Sequence, residues 1–213
     1  MEALLAIGGD GPPRESLAER FPSFGLVCAA DSGLDLLKAW GLAPQLIVGD
    51  MDSLSDISLL DAYPGAEVHR FPREKDDSDT EIGMRMLRER GAARIVLAGG
   101  GGGRLDHLLA LRAMFERPLH PAEWHTANES CWFVEEGADL VLRTAAGDLL
   151  SVFPFSRGSS GMRSEGLAWP LNGLSWGPGD FGLSNEATQD RVRIAAGKGS
   201  LLVVALRSAR RPS

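Results

Sequence analysis

The stretch "GLVCAADSGLDLLKAWGLAPQLIVGDMDS", residues 25–53, decides the fold. Its two short apolar runs, at 25–30 and 45–50, have the length of buried strands, and residues 32–40 between them have apolar side chains at helical spacing. Two strands joined through a helix are connected by a crossover, which makes them parallel. The stretch therefore predicts a β-α-β unit within a parallel sheet.

The same alternation runs through roughly the first 115 residues. Strand-like runs occur at 3–7, 25–30, 45–50, 66–71 and 93–99. Helix-like stretches lie near 14–20, 32–40, 55–61, 79–90 and 104–116, and the stretch at 79–90 has the clearest apolar face. This pattern is typical of a mostly parallel sheet with helices on both sides.

The pattern changes after about residue 120. Short β-like runs, separated by Gly, Pro, Ser and Asn and without a convincing helix, occur at 130–136, 139–144, 148–155, 191–196 and 200–206. We therefore expect an α/β protein in which a mostly parallel sheet domain, residues 1–120, is followed by a smaller all-β sandwich domain, residues 121–213.

The charge of the chain restricts its partners. Its 22 basic and 29 acidic residues give a formal net charge of −7, whereas binding to nucleic acid or to an anionic membrane needs a positive surface. We expect neither of these partners. The first residues, "MEALLAIGGDGPP", have no basic segment before their short apolar run, so we expect no secretory signal and a cytoplasmic location.

Aspartates follow the predicted strands where open parallel sheets bind their ligands, at the carboxyl ends. Asp50 and Asp52 end the run at 45–50, and they project to the same side if extended geometry continues through Met51. Three further aspartates follow other strands or open helices, namely Asp76, Asp79 and Asp106. Several carboxylates on one rim suit a hard cation with oxygen ligands, such as Mg²⁺.

Helix capping is the alternative role for these carboxylates. Asp31, Asp79 and Asp106 each stand at a predicted helix start, where aspartate is a favoured cap. Capping accounts for any one of them as well as metal binding does. It accounts less well for the recurrence of aspartate at successive strand ends.

A glycine run adds a second candidate element. The segment "AGGGGGR", residues 98–104, lies between a predicted strand and a predicted helix, where backbone N–H groups can receive an anion such as phosphate. It matches neither the GxGxxG nor the GxxxxGK[ST] pattern, which argues against a dinucleotide oxidoreductase and a Walker-type NTPase. Arg104 and Lys75 offer positive charge for phosphoryl oxygens, with surface ion pairs as the alternative. Together these features indicate metal-assisted phosphoryl-type transfer.

An unusual segment in the second half holds two tryptophans. In "SEGLAWPLNGLSWGPGDFGLSNEAT", residues 164–188, Trp169 stands in a loop rich in Gly and Pro. A flat aromatic in such a place could stack on a planar or cationic ring. The alternative is that Trp169 and Trp176 are ordinary core residues of the sandwich.

With these motifs assembled, the sequence resembles the thiamin pyrophosphokinase family over nearly its whole length. The resembling segments are "ADSGLDLLKAWGLAPQLIVGDMDSL" at 30–54, "EKDDSDTE" at 74–81, "GGGGGRLDH" at 99–107, "GLAWPL" at 166–171 and "GLSNE" at 182–186. The resemblance implies a catalytic domain that binds ATP and Mg²⁺, a β-sandwich domain that binds thiamin, and a homodimer with thiamin bound where the subunits meet. The implied reaction moves the diphosphate of ATP onto the thiamin hydroxyl and releases AMP.

The resemblance also implies a role for each matching residue. The implied metal and catalytic residues are Asp50, Asp52, Asp79 and Asp106, and Arg104 would neutralise the transferring group. The implied nucleotide-binding residues are Asp31, Lys75, Asp76, Gly100, Gly101, Gly102 and Gly103. The implied thiamin-binding residues are Trp169, Ser184 and Asn185.

Two departures from the family pattern concern nucleotide contacts rather than the carboxylates. The family often has "ADGGAN" where this chain has "ADSGLD", residues 30–35, and often has threonine in place of Ser78. Two alternative functions stay open at this point. One is a diphosphokinase that acts on another alcohol, such as a pterin, and the other is a sensor that binds thiamin or nucleotide without turnover.

Overall fold

The computed structural model describes residues 1–52, 54–155 and 158–207. The chain divides into two compact units, residues 1–127 and 128–213. Ser53, the last residue of the stretch that opens the sequence analysis, lies outside the described residues. The functional boundary expected at residue 120 stays a prediction.

The described part of the first unit contains six strands. They are β1 (Glu2–Ala6), β2 (Phe24–Ala30), β3 (Leu46–Gly49), β4 (Glu67–Arg70), β5 (Arg94–Ala98) and β6 (Glu123–His125). Neighbouring strands are all parallel, in the order β6-β5-β1-β2-β3-β4. The strand order therefore reverses between β1 and β5, where open parallel sheets tend to hold their ligands.

Three α-helices follow or connect these strands: α1 (Gly33–Trp40), α2 (Asp79–Glu89) and α3 (Leu105–Met114). The helices predicted at 14–20 and 55–61 are instead 3-10 segments, at Arg14–Ser16, Ala18–Ser23 and Ile57–Ala62. Pro22 removes a backbone donor in the first region. In the second region Pro64 and Gly65 follow the segment after one residue, so too few residues remain for a stable α-helix.

Helices α1 and α2 cover opposite faces of the sheet. Leu4 of β1 packs with Leu37 of α1 in one buried cluster. The next residue, Leu5, points to the other face, where it lies against Gly83 of α2. A sheet covered on both faces explains why its strands are continuous apolar runs. In the described ranges, no helix is long and apolar enough to cross a membrane.

The second unit is built from antiparallel strands, with no helix in its described residues. The strands are β7 (Glu129–Val134), β8 (Asp139–Arg143), β9 (Leu149–Pro154), β10 (Ser159–Ser160), β11 (Arg163–Glu165), β12 (Ser175–Trp176), β13 (Gly182–Glu186), β14 (Arg191–Ala195) and β15 (Leu201–Leu206). One sheet has the order β13-β9-β15-β7, another has the order β11-β14-β8, and β10 pairs with β12.

The two larger sheets of this unit enclose one core. Trp132 and Val203 of the first sheet share a buried cluster with Leu142 and Ile194 of the second. Packing of two antiparallel sheets through their inner faces is the arrangement of a β-sandwich. The predicted fold class, a mostly parallel α/β sheet followed by a smaller β-sandwich, is therefore confirmed.

A buried ion network joins the amino ends of β1, β5 and β6. The Glu123 carboxylate, with its side chain only 2% exposed, accepts hydrogen bonds from Arg20 Nη1 at 2.7 Å and Arg94 Nη2 at 2.6 Å. Glu2 accepts from the same two guanidinium groups, each at 3.0 Å. Since the strands are parallel, this network lies at the edge of the sheet opposite to the carboxyl ends.

Replacement of Glu123 tests what this network contributes to stability. Glu123→Gln is expected to lower the free energy of unfolding by about 3 kcal/mol, because two partly buried guanidinium groups lose the more buried of their two shared counter-charges. Urea unfolding at neutral pH measures the change. The matched control is Glu67→Gln, which removes an exposed ion pair with Arg90 and is expected to leave the unfolding midpoint unchanged. Equal midpoints for both variants would contradict the assigned role.

Candidate active site

Carboxylates from three segments meet at the carboxyl edge of the parallel sheet. Asp31 follows β2, Asp50 and Asp52 follow β3, and Asp79 opens α2. The carboxyl groups of Asp31 and Asp79 lie close enough to affect each other's ionisation, and so do those of Asp50 and Asp52. The structure thus brings together three of the four predicted metal and catalytic aspartates, together with the predicted nucleotide contact Asp31.

The surroundings of Asp31 favour its protonated form. Burial raises the pKa of this carboxyl to about 7, and the contact with Asp79 and the negative charges of Asp79 and Asp50 act in the same direction. A hydrogen bond from the backbone N–H of Met51, at 3.2 Å, opposes them. Asp31 can therefore hold a proton near neutral pH, and a cation placed beside it would favour release of that proton.

Asp50 and Asp52 approach each other through a turn, so the extended geometry expected through Met51 is wrong. Met51 has a φ of +66°, in the left-handed region, and the backbone N–H of Asp52 donates to Asp50 Oδ1 at 3.0 Å. This bond is the main cause that lowers the pKa of Asp50. The contact with Asp50 is the main cause that raises the pKa of Asp52. The pair converges as predicted, by a different backbone route.

Gly49, the last residue of β3, makes room for the Asp31 carboxylate. A Cβ built on Gly49 would lie 1.8 Å from Asp31 Oδ1, and Gly49 has a φ of +140°. Only glycine fits this combination of space and backbone conformation. The carboxylate therefore lies directly over the end of β3, where its oxygen reaches the amide of Met51.

The start of α2 presents Asp79 without using it as a cap. Ser78 is the cap: its side chain accepts from the Glu81 N–H, and the Glu81 carboxylate accepts from the Ser78 N–H in a reciprocal capping box. Neither α1 nor α3 has a side-chain cap bond from its N-cap residue. None of Asp31, Asp79 and Asp106 is therefore the N-cap residue of its helix, although Asp79 and Asp106 lie in the first turns of α2 and α3.

One carboxylate oxygen of Asp79 is still able to accept a hydrogen bond. Its side chain is 17% exposed, and its Oδ1 lies 3.2 Å from Lys75 Nζ. That approach lacks hydrogen-bond geometry, so the buried Oδ1 makes no hydrogen bond within the described ranges. Lys75 instead donates to the Pro72 carbonyl at 3.1 Å. A buried carboxylate oxygen without a donor beside a lysine is suited to a further cation or a donating ligand.

The carboxylate group offers hard oxygen ligands but no complete metal cage. Across residues 1–52, 54–155 and 158–207, no cluster of three or more His, Cys, Asp or Glu side chains is arranged to hold an ion. Mg²⁺ in proteins is commonly bound by one or two carboxylates together with substrate phosphates and water. Asp50 and Asp52 therefore fit a Mg²⁺ ion that binds together with a polyphosphate.

The glycine run divides into a packed half and an exposed half. Gly101 exchanges two backbone hydrogen bonds with Asp10 of the segment after β1, at 2.7 and 3.1 Å, and a Cβ on Gly101 would come within 2.6 Å of the Asp10 carbonyl oxygen. Gly100 is also partly covered, whereas Gly102 and Gly103 are exposed. The run lies between β1 and β5, where the strand order reverses, and its exposed half is the part that can meet a ligand.

Arg104 and Asp106 pair with each other on the surface. Arg104 Nε donates to Asp106 Oδ1 at 3.1 Å, and both side chains are largely exposed. This contact raises the pKa of Arg104 and lowers that of Asp106. Asp76 is exposed and forms no ion pair in the described part of the chain. In the described ranges these three residues form no hydrogen bond or ion pair with Asp50 or Asp52, and their functional roles stay predictions.

A further basic residue near the carboxylates was missed by the sequence analysis. Arg73 Nη1 lies 3.8 Å from Asp52 Oδ2, and its side chain is highly exposed. Its position two residues before Lys75, in the same polar segment, is the signal that could have indicated it. Arg73 adds positive charge on the side of the carboxylate pair that faces solvent.

In the second unit, Trp169 and Trp176 have different surroundings. Trp169 is 60% exposed, whereas Trp176 packs against the sandwich core. The Trp169 backbone is held by the buried Asn185 side chain, which accepts from the Trp169 N–H at 3.1 Å and donates to its carbonyl at 2.6 Å. Asn185, predicted as a ligand contact, therefore uses its amide to fix the position of Trp169.

Ser184 precedes Asn185 and has a strained backbone. It is exposed, has a φ of +53°, and donates its backbone N–H to Ser151 Oγ at 3.1 Å. In the described residues only Asp31, Met51 and Ser184 combine a side chain with positive φ. Such strain concentrates at functional sites, and each of these residues is a predicted site residue or lies between two of them.

Comparison with known proteins identifies the family. A model of the thiamin pyrophosphokinase catalytic domain matches residues 18–121, and a model of the thiamin pyrophosphokinase vitamin B1 binding domain matches residues 139–201. Comparison with curated protein sequences gives no match.

Solved structures share the fold over nearly the whole chain. Thiamine pyrophosphokinase from Bacillus subtilis has a TM-score of 0.80 at 21% identity, with 97% of this chain and 99% of that chain covered. Thiamin pyrophosphokinase from Geobacillus thermodenitrificans has a TM-score of 0.73 at 27% identity, with 97% of each chain covered. Thiamin pyrophosphokinase from Candida albicans has a TM-score of 0.73 at 14% identity, with 96% of this chain and 90% of that chain covered.

The two family models match in order and together span most of the chain, in agreement with the resemblance found in the motifs. The chain is therefore an enzyme of the thiamin pyrophosphokinase family.

Proposed function

We propose that this enzyme transfers the diphosphate of ATP to the hydroxyl of thiamin in a Mg²⁺-dependent reaction that gives thiamin diphosphate and AMP. Family membership supports thiamin diphosphorylation. The observation that carries the proposal is the group of carboxylates at the carboxyl edge of the sheet, beside Lys75. Carboxylates of this kind are suited to a metal-bound polyphosphate.

In this proposal the carboxylates hold the metal and the basic residues hold the phosphates. Asp50, Asp52, Asp79 and Asp106 are the proposed metal and catalytic residues, and Mg²⁺ bound there would neutralise charge on the phosphoryl oxygens. Lys75 and Arg104 would contact the same oxygens as point and bidentate charges. The other proposed nucleotide contacts are Asp31, Asp76 and the glycines at 100–103.

The transfer itself requires one bond to form and one to break. The thiamin hydroxyl oxygen bonds to the β-phosphorus of ATP. The bond from that phosphorus to the oxygen that bridges the α- and β-phosphorus breaks, and AMP leaves with this oxygen. The hydroxyl proton passes to a carboxylate of the group. Asp79 is suited to accept it, because its Oδ1 is buried and lacks a donor.

Thiamin is proposed to stack on Trp169 in the second unit. The exposed indole offers a flat face to the cationic thiazolium ring, and the buried Asn185 amide keeps the tryptophan backbone in place. Ser184, exposed and held in a strained conformation, is the proposed polar contact beside it. The cytoplasmic location expected from the sequence stays a prediction.

A homodimer is also proposed, as the family resemblance implies. Several large apolar side chains of the second unit are exposed in the single chain, namely Leu149, Phe181, Leu183 and Leu206. Phe181 and Phe153 form a ring contact with centroids 5.9 Å apart at this surface. Exposed apolar surface of this kind is typical of an association site.

The catalytic proposal is tested first by product identity. Purified protein with ATP, Mg²⁺ and thiamin is expected to release AMP in a thiamin-dependent manner, measured by chromatography of the nucleotides. Asp52→Asn is expected to lower the rate by about 100-fold or more, because one carboxylate of the metal-binding pair loses its charge.

Asp61→Asn provides the matched control, because Asp61 is an exposed aspartate of the same loop region that lies outside the proposed site. Its rate is expected to equal that of the unmodified protein. Release of ADP instead of AMP would show γ-phosphoryl transfer and contradict the proposed reaction. Full activity in Asp52→Asn would contradict the role of the pair.

The proposed stacking is tested by shortening Trp169. Trp169→Ala is expected to raise the KM for thiamin about tenfold, because the cation loses the aromatic face, while kcat changes little. Trp169→Phe retains a ring and is expected to keep most of the affinity. Steady-state kinetics at saturating ATP measures both constants, and an unchanged KM in the alanine variant would rule out stacking at this position.

The proposed dimer is tested by its mass in solution. Sedimentation equilibrium is expected to give twice the chain mass of 22.8 kDa. Leu183→Glu is expected to give single chains, because it places a charge on the exposed apolar surface of the second unit. Ile57→Glu, at an exposed apolar residue of the first unit, is the control and is expected to remain dimeric. A dimer that persists in Leu183→Glu would exclude this surface as the interface.

A further inference from the structure

We propose that Asp35 is a positioning residue, which fixes the loop that carries Asp50 and Asp52 by binding Ser55. The inference rests on the proposed function, in which that loop places the carboxylate pair. Asp35 belongs to neither the metal-binding nor the substrate-binding set assigned above. It acts through the loop and does not touch the reacting atoms.

The contact between Asp35 and Ser55 uses both carboxylate oxygens. The Ser55 N–H donates to Asp35 Oδ2 at 3.3 Å, and the Ser55 hydroxyl donates to Asp35 Oδ1. Asp35 lies in the first turn of α1, and Ser55 lies 20 residues later in the loop after β3. Two hydrogen bonds to an ionised acceptor, made by a single residue, hold position and orientation together.

A second contact from the same helix region anchors the other end of the loop. Asp31, one helical turn before Asp35, accepts from the Met51 N–H at 3.2 Å. Asp31 lies just before the N-cap of α1, and it binds the same loop as Asp35 does, at Met51 rather than at Ser55. Asp52 lies between the two anchored residues, Met51 and Ser55. Asp52 is therefore flanked by two anchored residues, one bound by Asp31 before α1 and the other by Asp35 within α1.

This loop needs external support because its described residues form few backbone hydrogen bonds of their own. Regular pairing of β3 ends at Gly49, and the next 3-10 segment begins only at Ile57. Met51 between them has a left-handed backbone, which costs energy in a residue with a side chain. Without its anchors the segment would sample other conformations, and the Asp50 and Asp52 carboxylates would separate.

Two substitutions at position 35 test the contact in different ways. An asparagine can accept the Ser55 N–H with its carbonyl oxygen and donate to the Ser55 hydroxyl with its amide, so it can reproduce the two-point contact. Alanine can make neither bond. Asp35→Asn therefore removes the charge and keeps both hydrogen bonds, whereas Asp35→Ala removes the charge and both hydrogen bonds.

The first test is amide hydrogen exchange in the protein without ligands, followed by mass spectrometry of peptides. Asp35→Ala is expected to speed exchange across 51–55 about tenfold, while the peptides of α2 and β5 remain unchanged. Ser55→Ala is expected to give the same local change from the other side of the contact. Asp35→Asn is expected to exchange like the unmodified protein. Exchange at 51–55 that is unaffected by Asp35→Ala would overturn the inference.

The second test separates positioning from a purely structural role. Asp35→Ala is expected to lower kcat for thiamin-dependent AMP release at least tenfold with an unchanged KM for thiamin, because Asp52 is misplaced while the thiamin site is intact. Asp35→Asn is expected to restore kcat, and Asp61→Ala serves as the neutral control. Faster exchange with an unchanged kcat, or a kcat lost equally in Asp35→Asn, would also overturn the inference.

The two measurements distinguish failure of this inference from failure of the proposed function. If the unmodified protein releases no AMP with thiamin, the proposed function fails, and the exchange data alone decide whether Asp35 holds the loop. If the unmodified protein is active, the kcat of Asp35→Ala decides whether that contact positions the carboxylate pair.

Discussion

The mutual repulsion of Asp31, Asp50, Asp52 and Asp79 is the constraint on which the rest of the site depends. A parallel sheet brings the carboxyl ends of its strands to one edge, so aspartates placed there must share a small volume. The structure offsets their charge with the amides of Met51 and Asp52 and with Lys75 and Arg73. The compensation is incomplete, as the raised pKa of Asp31 and the unbonded Asp79 oxygen show. A site left short of positive charge in this way has affinity for a metal cation that accompanies an anionic substrate.

The two edges of the parallel sheet differ in how completely their charged side chains are paired. At the amino edge, Glu123 and Glu2 face Arg20 and Arg94, and the buried charges satisfy one another. At the carboxyl edge, like charges are gathered without a full set of partners. Buried ion pairs that are complete hold a structure together, whereas groups that lack partners are available to a ligand. The ion pairs that stabilise the unit therefore lie at one edge of the sheet, and the carboxylates proposed to bind ligands lie at the other.

Apolar periodicity predicted five of the six described strands of the first unit, each to within one or two residues at its ends, but it missed β6, which has only three residues. The helix predicted at 55–61 was wrong because the residues that end it, Pro64 and Gly65, leave only a single 3-10 segment. The carboxylate pair was predicted, but its turn at Met51 was not, because a positive φ in a non-glycine residue leaves no pattern in the sequence. The role of Asn185 was also beyond sequence reasoning, because its amide binds a backbone 16 residues away. Contacts between residues that are far apart in the sequence determine such roles, and no local sequence pattern predicts these contacts.

The space above Gly49 has a consequence for how this protein can vary. A side chain at position 49 and the carboxylate of Asp31 would occupy the same volume, since the gap is only 1.8 Å. Loss of Asp31 would free this space, but the positive φ at 49 would still disfavour a side chain there. The dependence therefore runs in one direction: in a library with both positions randomised, members that carry Asp31 should all carry Gly49, whereas members that carry Gly49 need not carry Asp31.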